Sequence, residues 1–385
     1  MDFTDSEEIA LLRDAVSGIA RRYGHAYLVE AARSDRKTVE LWDELAGHGF
    51  LGVNLPEAYG GGGMGLTELA VVTEELAAAG CPMLLLLVSP AICGTLLAHF
   101  GTVEQQEGWL RPIAEGRAKM AFALTEPDAG SNSHRLGTVA TLRTDGGYTL
   151  KGTKHYISGV DEASAMLVVA RSGIDERTGR ARLSLFVVDT DAPGLERRPM
   201  QVEVVLPEKQ FVLFFDDVEV SADRLVGAQD DGLRILFQGL NPERILGAAL
   251  LNGIGRYALE RAAAYANERA VWGVPIGAHQ GIAHPLAEAK IDVELARLMT
   301  AKAAWLFDQG ADAGEASNMA KYAAAEAALA ALDQAIQTHG GNGMATEYGL
   351  ATLWGLARLL RIAPVSREMI LNFVSQHSLG LPRSY

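Results

Sequence analysis

Three short stretches carry residue types able to do chemistry. "FALTEPDAGSNSH", Phe122 to His134, packs backbone donors, hydroxyls and a glycine into a Pro-Asp turn, which suits holding a polar ligand but on its own reads as an ordinary turn. "LNPERI" places two charged side chains, Glu243 and Arg244, directly after a proline. The structural reading of that stretch is a helix start, with Asn241 as N-cap, Pro242 in the first helical position and Glu243 complementing the helix dipole. In "RLLRIAPVSREMILN", residues 358 to 372, Pro364 interrupts apolar residues at helical spacing, so the chain is expected to bend or loop there.

Other chemistries are excluded by absence of pattern. The run Gly60 to Gly63 neither follows a strand nor fits a dinucleotide or phosphate-loop spacing, and reads as a flexible connection between helices. No serine sits in a GxSxG elbow. Cys81 and Cys93 make neither a disulfide framework nor a CxxC pair, and the nine histidines lack zinc-ligand spacing, so no metal is expected. With 48 acidic against 34 basic residues the net charge is -14, which argues against nucleic acid as a partner. The acidic start "MDFTDSEEIALL" has no secretory pattern, so a cytoplasmic location is expected. Leu76 to Val103 contains no charged residue, but Gly80, Pro82, Pro90 and Gly94 break it, and it reads as two buried helices meeting near Pro90 rather than a membrane span.

The elements that must position these residues fall in the order α, β, α. A capping box from Thr4 to Glu7 precedes Ile9, Leu12, Val16 and Ile19 on one helical face, and Leu41 with Leu45 form a second amphipathic pair ended by Gly47 and Gly49. Residues 1–118 therefore read as helical. Alternating runs such as "TLRTDGGYTLKG" and "QFVLFFDDVEV", with Asp145-Gly146-Gly147 as a hairpin turn, make residues 119–228 a β-domain, a small barrel or sandwich. Residues 229–385 return to long helices, with Ile291, Leu295, Leu298 and Trp305 at bundle spacing. The fold class is α+β.

Taken together, "FALTEPDAGSNSH", "LKGTKHYISG" (150–159), the stretch from "NPERILGAALL" through "ERAVWGVPIGAHQ", and "QTHGGNGMATEYG" resemble, in order and over nearly the whole chain, the signatures of the acyl-CoA dehydrogenase family. The resemblance implies an N-terminal helical domain, a central β-barrel and a C-terminal four-helix bundle, with FAD between barrel and bundle. It implies flavin contacts from Phe122, Leu124, Thr125, Tyr156 and Ser158, with Ser131 and Arg244 toward the substrate. Arg269 would bind the pyrophosphate, and Gln280 and, across a subunit interface, Gln337, Gly340 and Gly341 would hold the rest of FAD. By residue type alone, Arg269 reads as a solvated charge near a helix end, Gln337 as a surface residue and the glycines as a helix terminus. The implied reaction takes an acyl-CoA to its trans-2-enoyl-CoA, with hydride passing to flavin N5 and electrons to an electron-transfer flavoprotein, in a tetramer built as a dimer of dimers. Residues Met83 to Ala91 would border the acyl pocket.

This chain departs from the family pattern in telling places. Tyr156 stands where the family usually has Trp, Ser158 where it has Thr, Asn132 where it has Asp, and Trp272 where it has Phe. Many members carry the catalytic Glu where this chain has Pro364, and proline also lacks the N–H that would donate to the thioester oxygen. Other members carry the base at the position of Glu243, which the resemblance makes the candidate here. With the usual base position occupied by proline, three further readings stay open: a flavin-dependent elimination without net oxidation, oxidation of a carrier-protein-bound acyl group, and a non-catalytic thioester-binding subunit. Ala363 could supply the missing donor if the turn shifted by one residue.

Overall fold

The structure is a computed structural model that describes residues 4–383. The first helix, α1 (Glu7–Arg33), starts two residues later than the expected box: Ser6, not Thr4, is the N-cap, its hydroxyl accepting from the Ile9 N–H. α2 (Val39–Gly47) buries Leu41 and Leu45 completely, as their spacing requires. The glycine run that follows is a helix connection but not a flexible one. The Gly62 N–H donates to Gly52 O and the Gly63 N–H to Leu55 O, and a Cβ on Gly61 would stand 2.2 Å from the Leu55 carbonyl oxygen, so only glycine fits.

After α3 (Leu66–Ala78) the chain turns at Gly80, with φ at +86°, and then runs as one continuous helix through α4 (Leu84–Leu86), a π-helical segment Leu87–Gly94 and α5 (Thr95–Phe100). The expected break at Pro90 is therefore misplaced. Pro90 lies inside the widened π turns, where the missing donor is accommodated, and the joint lies ten residues earlier. α6 (Val103–Ala114) closes this part, and among the described residues no helix is long and apolar enough to cross a membrane.

Eight strands follow: β1 (Met120–Ala123), β2 (Val139–Leu142), β3 (Tyr148–Ser158), β4 (Ala165–Ile174), β5 (Ala181–Asp189), β6 (Leu195–Met200), β7 (Gln210–Val220) and β8 (Leu225–Val226). They form one sheet in the order β6-β7-β3-β2-β4-β5-β8, with β1 parallel to β4 and β6 and β8 at the two ends of the hydrogen-bonded path. The Asp145-Gly146-Gly147 turn joins β2 to β3 as a hairpin, with Gly146 at φ +85°.

The helical remainder comprises α7 (Gly232–Glu268), a two-strand hairpin β9 (Ala270–Val271) and β10 (Val274–Pro275), α8 (Gln280–Asp308), α9 (Gly314–His339), α10 (Ala351–Ile362) and α11 (Arg367–Phe373). α7, α8, α9 and α10 pack together, and one core runs from Leu41 and Leu76 of the first helices to Leu250, Ala324 and Leu356 of the last. The bundle spacing misleads in one respect. Ile291, Leu295, Leu298 and Trp305 are all more than half exposed, and α8 instead buries Ala289, Val293, Ala296, Ala303 and Ala304. Small residues let the helices approach closely, so the large apolar ones are turned outward.

Candidate active site

The two stretches at the sheet entrance are fastened to each other. The His155 N–H donates to Thr125 O at 2.9 Å, and Lys154 Nζ donates to Leu124 O at 2.9 Å and to Glu126 Oε1 at 2.8 Å. Glu126 also accepts from the Gly137 and Thr138 N–H groups at 2.5 and 3.0 Å. Burial lowers the Lys154 ammonium to about 8 against the pull of Glu126. At Glu126, burial would raise the carboxyl, but Lys154 and the hydrogen bonds outweigh it and hold it below the usual range. Thus Leu124 and Thr125 are fastened to β3 beside a buried ion pair, while Phe122 is held by the pairing of β1 with Leu167 of β4; all three are partly exposed. A register shift between Lys154 and Ile157 throws Tyr156 outward at φ +58° and 56% exposure, while Ser158 is hydrogen-bonded to Gln210 at 2.9 Å. Ser131 lies exposed beyond the turn made by Glu126 and Ala129. Lys154 and Glu126 are not legible in sequence as site residues, since each alone reads as a solvated charge and only their shared burial shows the pair.

Glu243 does not begin a helix. α7 starts at Gly232 and runs through Pro242, and Asn241, instead of capping, accepts from Arg244 Nη1 at 3.1 Å and from Ser317 Oγ of α9 at 3.2 Å. The first-turn dipole account of Glu243 is thereby removed. Burial raises its carboxyl to about 7, although Arg244 and Lys321 both pull the other way. Arg244 is itself desolvated, its Nε buried without a hydrogen-bond partner, and burial lowers its affinity for the proton. Lys321, 1% exposed, is inconspicuous in sequence because it sits in an alanine-rich run of α9.

The chain does break at Pro364, between α10 and α11, and the Ala363–Pro364 peptide is cis. Lys321 Nζ donates to Arg361 O at 3.2 Å and Val365 O at 2.6 Å, on either side of this break. The Ala363 N–H is committed to Leu359 O at 2.9 Å as the cap of α10, so Ala363 is not the substitute donor.

A second group of residues gathers at the far end of α7. Tyr265 stacks on His339 with ring centroids 4.2 Å apart, and Asn342 Nδ2 donates to the hydroxyls of Tyr265 and Tyr348 at 3.1 Å each. These contacts bring the Gly340–Gly341 turn and Gln337 to the end of α7 where Arg269 is the C-cap. Arg269, Gln280 and Gln337 are exposed, and the Arg269 guanidinium has no side-chain partner among the described residues. Glu243 and Arg269 are 26 positions apart on this helix, and at about 1.5 Å per residue that is about 39 Å.

With this geometry in place, three family patterns match the chain in order: the acyl-CoA dehydrogenase N-terminal domain over residues 6–117, the middle domain over 121–218 and the C-terminal domain over 230–379. The chain is 58% identical over 386 residues to acyl-CoA dehydrogenase FadE12 of Mycobacterium tuberculosis, covering 100% of this chain and 99% of that one. Butyryl-CoA dehydrogenase from Megasphaera elsdenii superposes with a TM-score of 0.92 at 29% identity, over 98% of this chain and 100% of that one. A glutaryl-coenzyme A dehydrogenase in complex with glutaryl-CoA gives 0.93 at 28% identity, over 100% of this chain and 98% of that one. The three matched patterns and the shared fold, end to end, make this chain a member of the acyl-CoA dehydrogenase family.

Proposed function

We propose that the protein is an FAD-dependent dehydrogenase of acyl-CoA thioesters, forming the trans-2-enoyl-CoA, with Glu243 as the base. The observation that carries the reading is the placement of Glu243: a carboxylate raised to about 7 by burial, well inside α7, while position 364 holds a proline. A base whose pKa lies near neutrality accepts a proton efficiently at the pH where it works. In its ionised form Glu243 takes the α-proton, and Arg244 and Lys321 offset the charge of that form. The apolar residues from Met83 to Ala91, buried apart from partly exposed Val88, suit one wall of an acyl pocket.

The residues present fit FAD. A Cβ at Gly340 or Gly341 would meet nothing within 4 Å, which leaves an open cradle, and the unengaged Arg269 fork suits a pyrophosphate. FAD, when bound, supplies the acceptor of the β-hydride. Phe122, Leu124, Thr125, Tyr156 and Ser158 are assigned to the ring end, Ser131 and Arg244 to the substrate side, and Arg269, Gln280, Gln337, Gly340 and Gly341 to the phosphate and adenosine end. Arg269 lies about 39 Å along α7 from Glu243, and this wide separation of the pyrophosphate ligand from the base on one helix fits a site shared between subunits. The outward stripe of Ile291, Leu295, Leu298 and Trp305 supports the same assembly, a homotetramer formed as a dimer of dimers. Beside it, Leu295, Met299, Tyr322, Ile370 and Leu371 line an apolar groove of about 440 Å³. Electrons would pass to an electron-transfer flavoprotein. Two buried free thiols, Cys81 and Cys93, are consistent with a cytoplasmic setting.

Anaerobic titration of the FAD-loaded protein with short, long, branched and aromatic acyl-CoAs tests the reading. Bleaching of the oxidised flavin by one class is expected, and Glu243→Gln should slow it by about 10³-fold or more. No bleaching by any acyl-CoA would overturn the proposal and favour a carrier-bound substrate, an elimination or a binding role.

A further inference from the structure

Lys321 is a buried cation that helps offset the charge of Glu243, yet the hydrogen bonds of its Nζ go elsewhere. Its Nζ is bonded to carbonyls at Arg361 and Val365, which bracket Pro364. The same helix grips the turn a second time through Glu326, whose Oε1 accepts from Arg361 Nε at 2.8 Å and from Arg367 Nε at 2.9 Å. Neither carbonyl carries a net charge, so the lysine's charge is left for the carboxylates near it. Burial lowers the ammonium to about 8 and Arg244 opposes it too, while Glu243 from α7, Glu368 from α11 and Glu326 from α9 favour its charge; one turn away, α9 is tied to α7 by the 3.2 Å bond from Ser317 Oγ to Asn241 Oδ1. Around Glu243 itself stand Arg244 on α7, Lys321 on α9 and the Cys93 thiol of the π-helical segment.

An unpaired buried ammonium is costly, and a fold that merely needed to bind two carbonyls could do so with a neutral amide. We propose that Lys321 positions the base of the reaction: it pins the Pro364 turn to α9 and keeps a positive charge against Glu243, holding that carboxylate ready to accept a proton. The proposal rests on the reading of Glu243 as the base. It gives the turn that lacks a carboxylate a role, since the turn's carbonyls anchor the cation that serves a carboxylate on another helix.

The test is the pH dependence of single-turnover flavin reduction in the FAD-loaded enzyme, using the acyl-CoA that bleaches wild type. Lys321→Met removes the charge, Lys321→Gln removes it but keeps a donor for the carbonyls, and Lys321→Arg keeps both. In the first two the midpoint of the acid limb should rise by on the order of one pH unit, with a loss of about fivefold at neutral pH that is recovered in alkali. Lys321→Arg should keep the wild-type midpoint. Infrared titration of the substrate-free protein, with the carboxyl band assigned by its absence in Glu243→Gln, reads the same shift without turnover. A rate lowered equally at every pH, with midpoint and band unmoved in both neutral variants, would make Lys321 purely structural and overturn the proposal. Wild-type reduction by Glu243→Gln would instead sink the base reading itself, and this proposal with it.

Discussion

Lys154 Nζ lies 2.8 Å from Glu126 Oε1 with the lysine side chain entirely buried, and this pair, with the His155 N–H bond to Thr125 O, fastens β3 to the segment that follows β1. Every other acceptor or donor of the pair is backbone, from Leu124, Gly137 and Thr138. Lys154→Met leaves the Glu126 carboxylate buried without its cation, a loss of about 3 kcal/mol in stability. It should also weaken FAD retention, since Leu124 O loses its donor and the segment keeps only the His155 N–H bond at Thr125. Urea unfolding and flavin content after gel filtration check both, and full FAD occupancy at wild-type stability would show that the pair does not set the loop.

Arg256 joins the bundle to the N-terminal helices in a similar way. Its Nη1 donates to Glu74 Oε1 and Glu75 Oε1 at 2.6 Å each, while Arg13 and Arg297 reach the same carboxylates from α1 and α8. At Glu75 burial would raise the carboxyl, but Arg256 and Arg13 hold it below its ordinary value. Arg256→Met should cost about 3 kcal/mol, because Glu75 is buried and keeps only part of its compensation. A change below about 0.5 kcal/mol in denaturant unfolding would place the network with weak surface pairs.

Glu208 gives a pH dependence with a defined sign. Its Oε1 accepts from the Leu84 N–H at 2.8 Å at the start of α4, its Oε2 is buried without a partner, and burial, with Glu162 adding, pushes the carboxyl up to about 7. Because the folded state binds this proton more tightly than the unfolded chain, the associated stability is fully present below the ordinary carboxylate range and is lost as pH rises through about 7. Glu208→Gln should flatten the slope between about pH 5 and about pH 7 and leave the protein at least as stable as wild type above it. Parallel slopes in the two proteins, measured by urea unfolding across that range, would exclude Glu208 as their source.

The outward face of α8 predicts assembly. Leu298→Glu with Trp305→Glu places two charges on a stripe that is about half exposed in the single chain, and should dissociate the proposed tetramer in sedimentation experiments. Dissociation should release FAD if Arg269 and the Gly340 turn serve a neighbour's site. A monomer that keeps its FAD would contradict the shared site.

Much of the architecture is legible in the order of residues. The α, β, α order follows from the change in apolar period, and the Asp145-Gly146-Gly147 hairpin from its turn chemistry. The break at Pro364 is readable because a proline lacks the donor that would continue the helix. Pro90 shows the limit of that rule, since tertiary packing carries the helix through it in π geometry. The same limit applies to Pro242: taken as a first-turn residue it makes Glu243 look like a helix start, while the helix begins ten residues earlier.

Read alone, the order of residues fixes local chemistry: which of them can donate, titrate or turn the chain, and that a proline stands at position 364 between two helical stretches. Which of those residues act together follows from packing between distant segments. Lys321 and Glu126 are undistinguished charges in sequence, and Ile291 to Trp305 looks like a core stripe. Burial, and with it the strength of every charge at the site, depends on which helices and strands pack against each other, and that is a property of contacts between residues far apart in the chain.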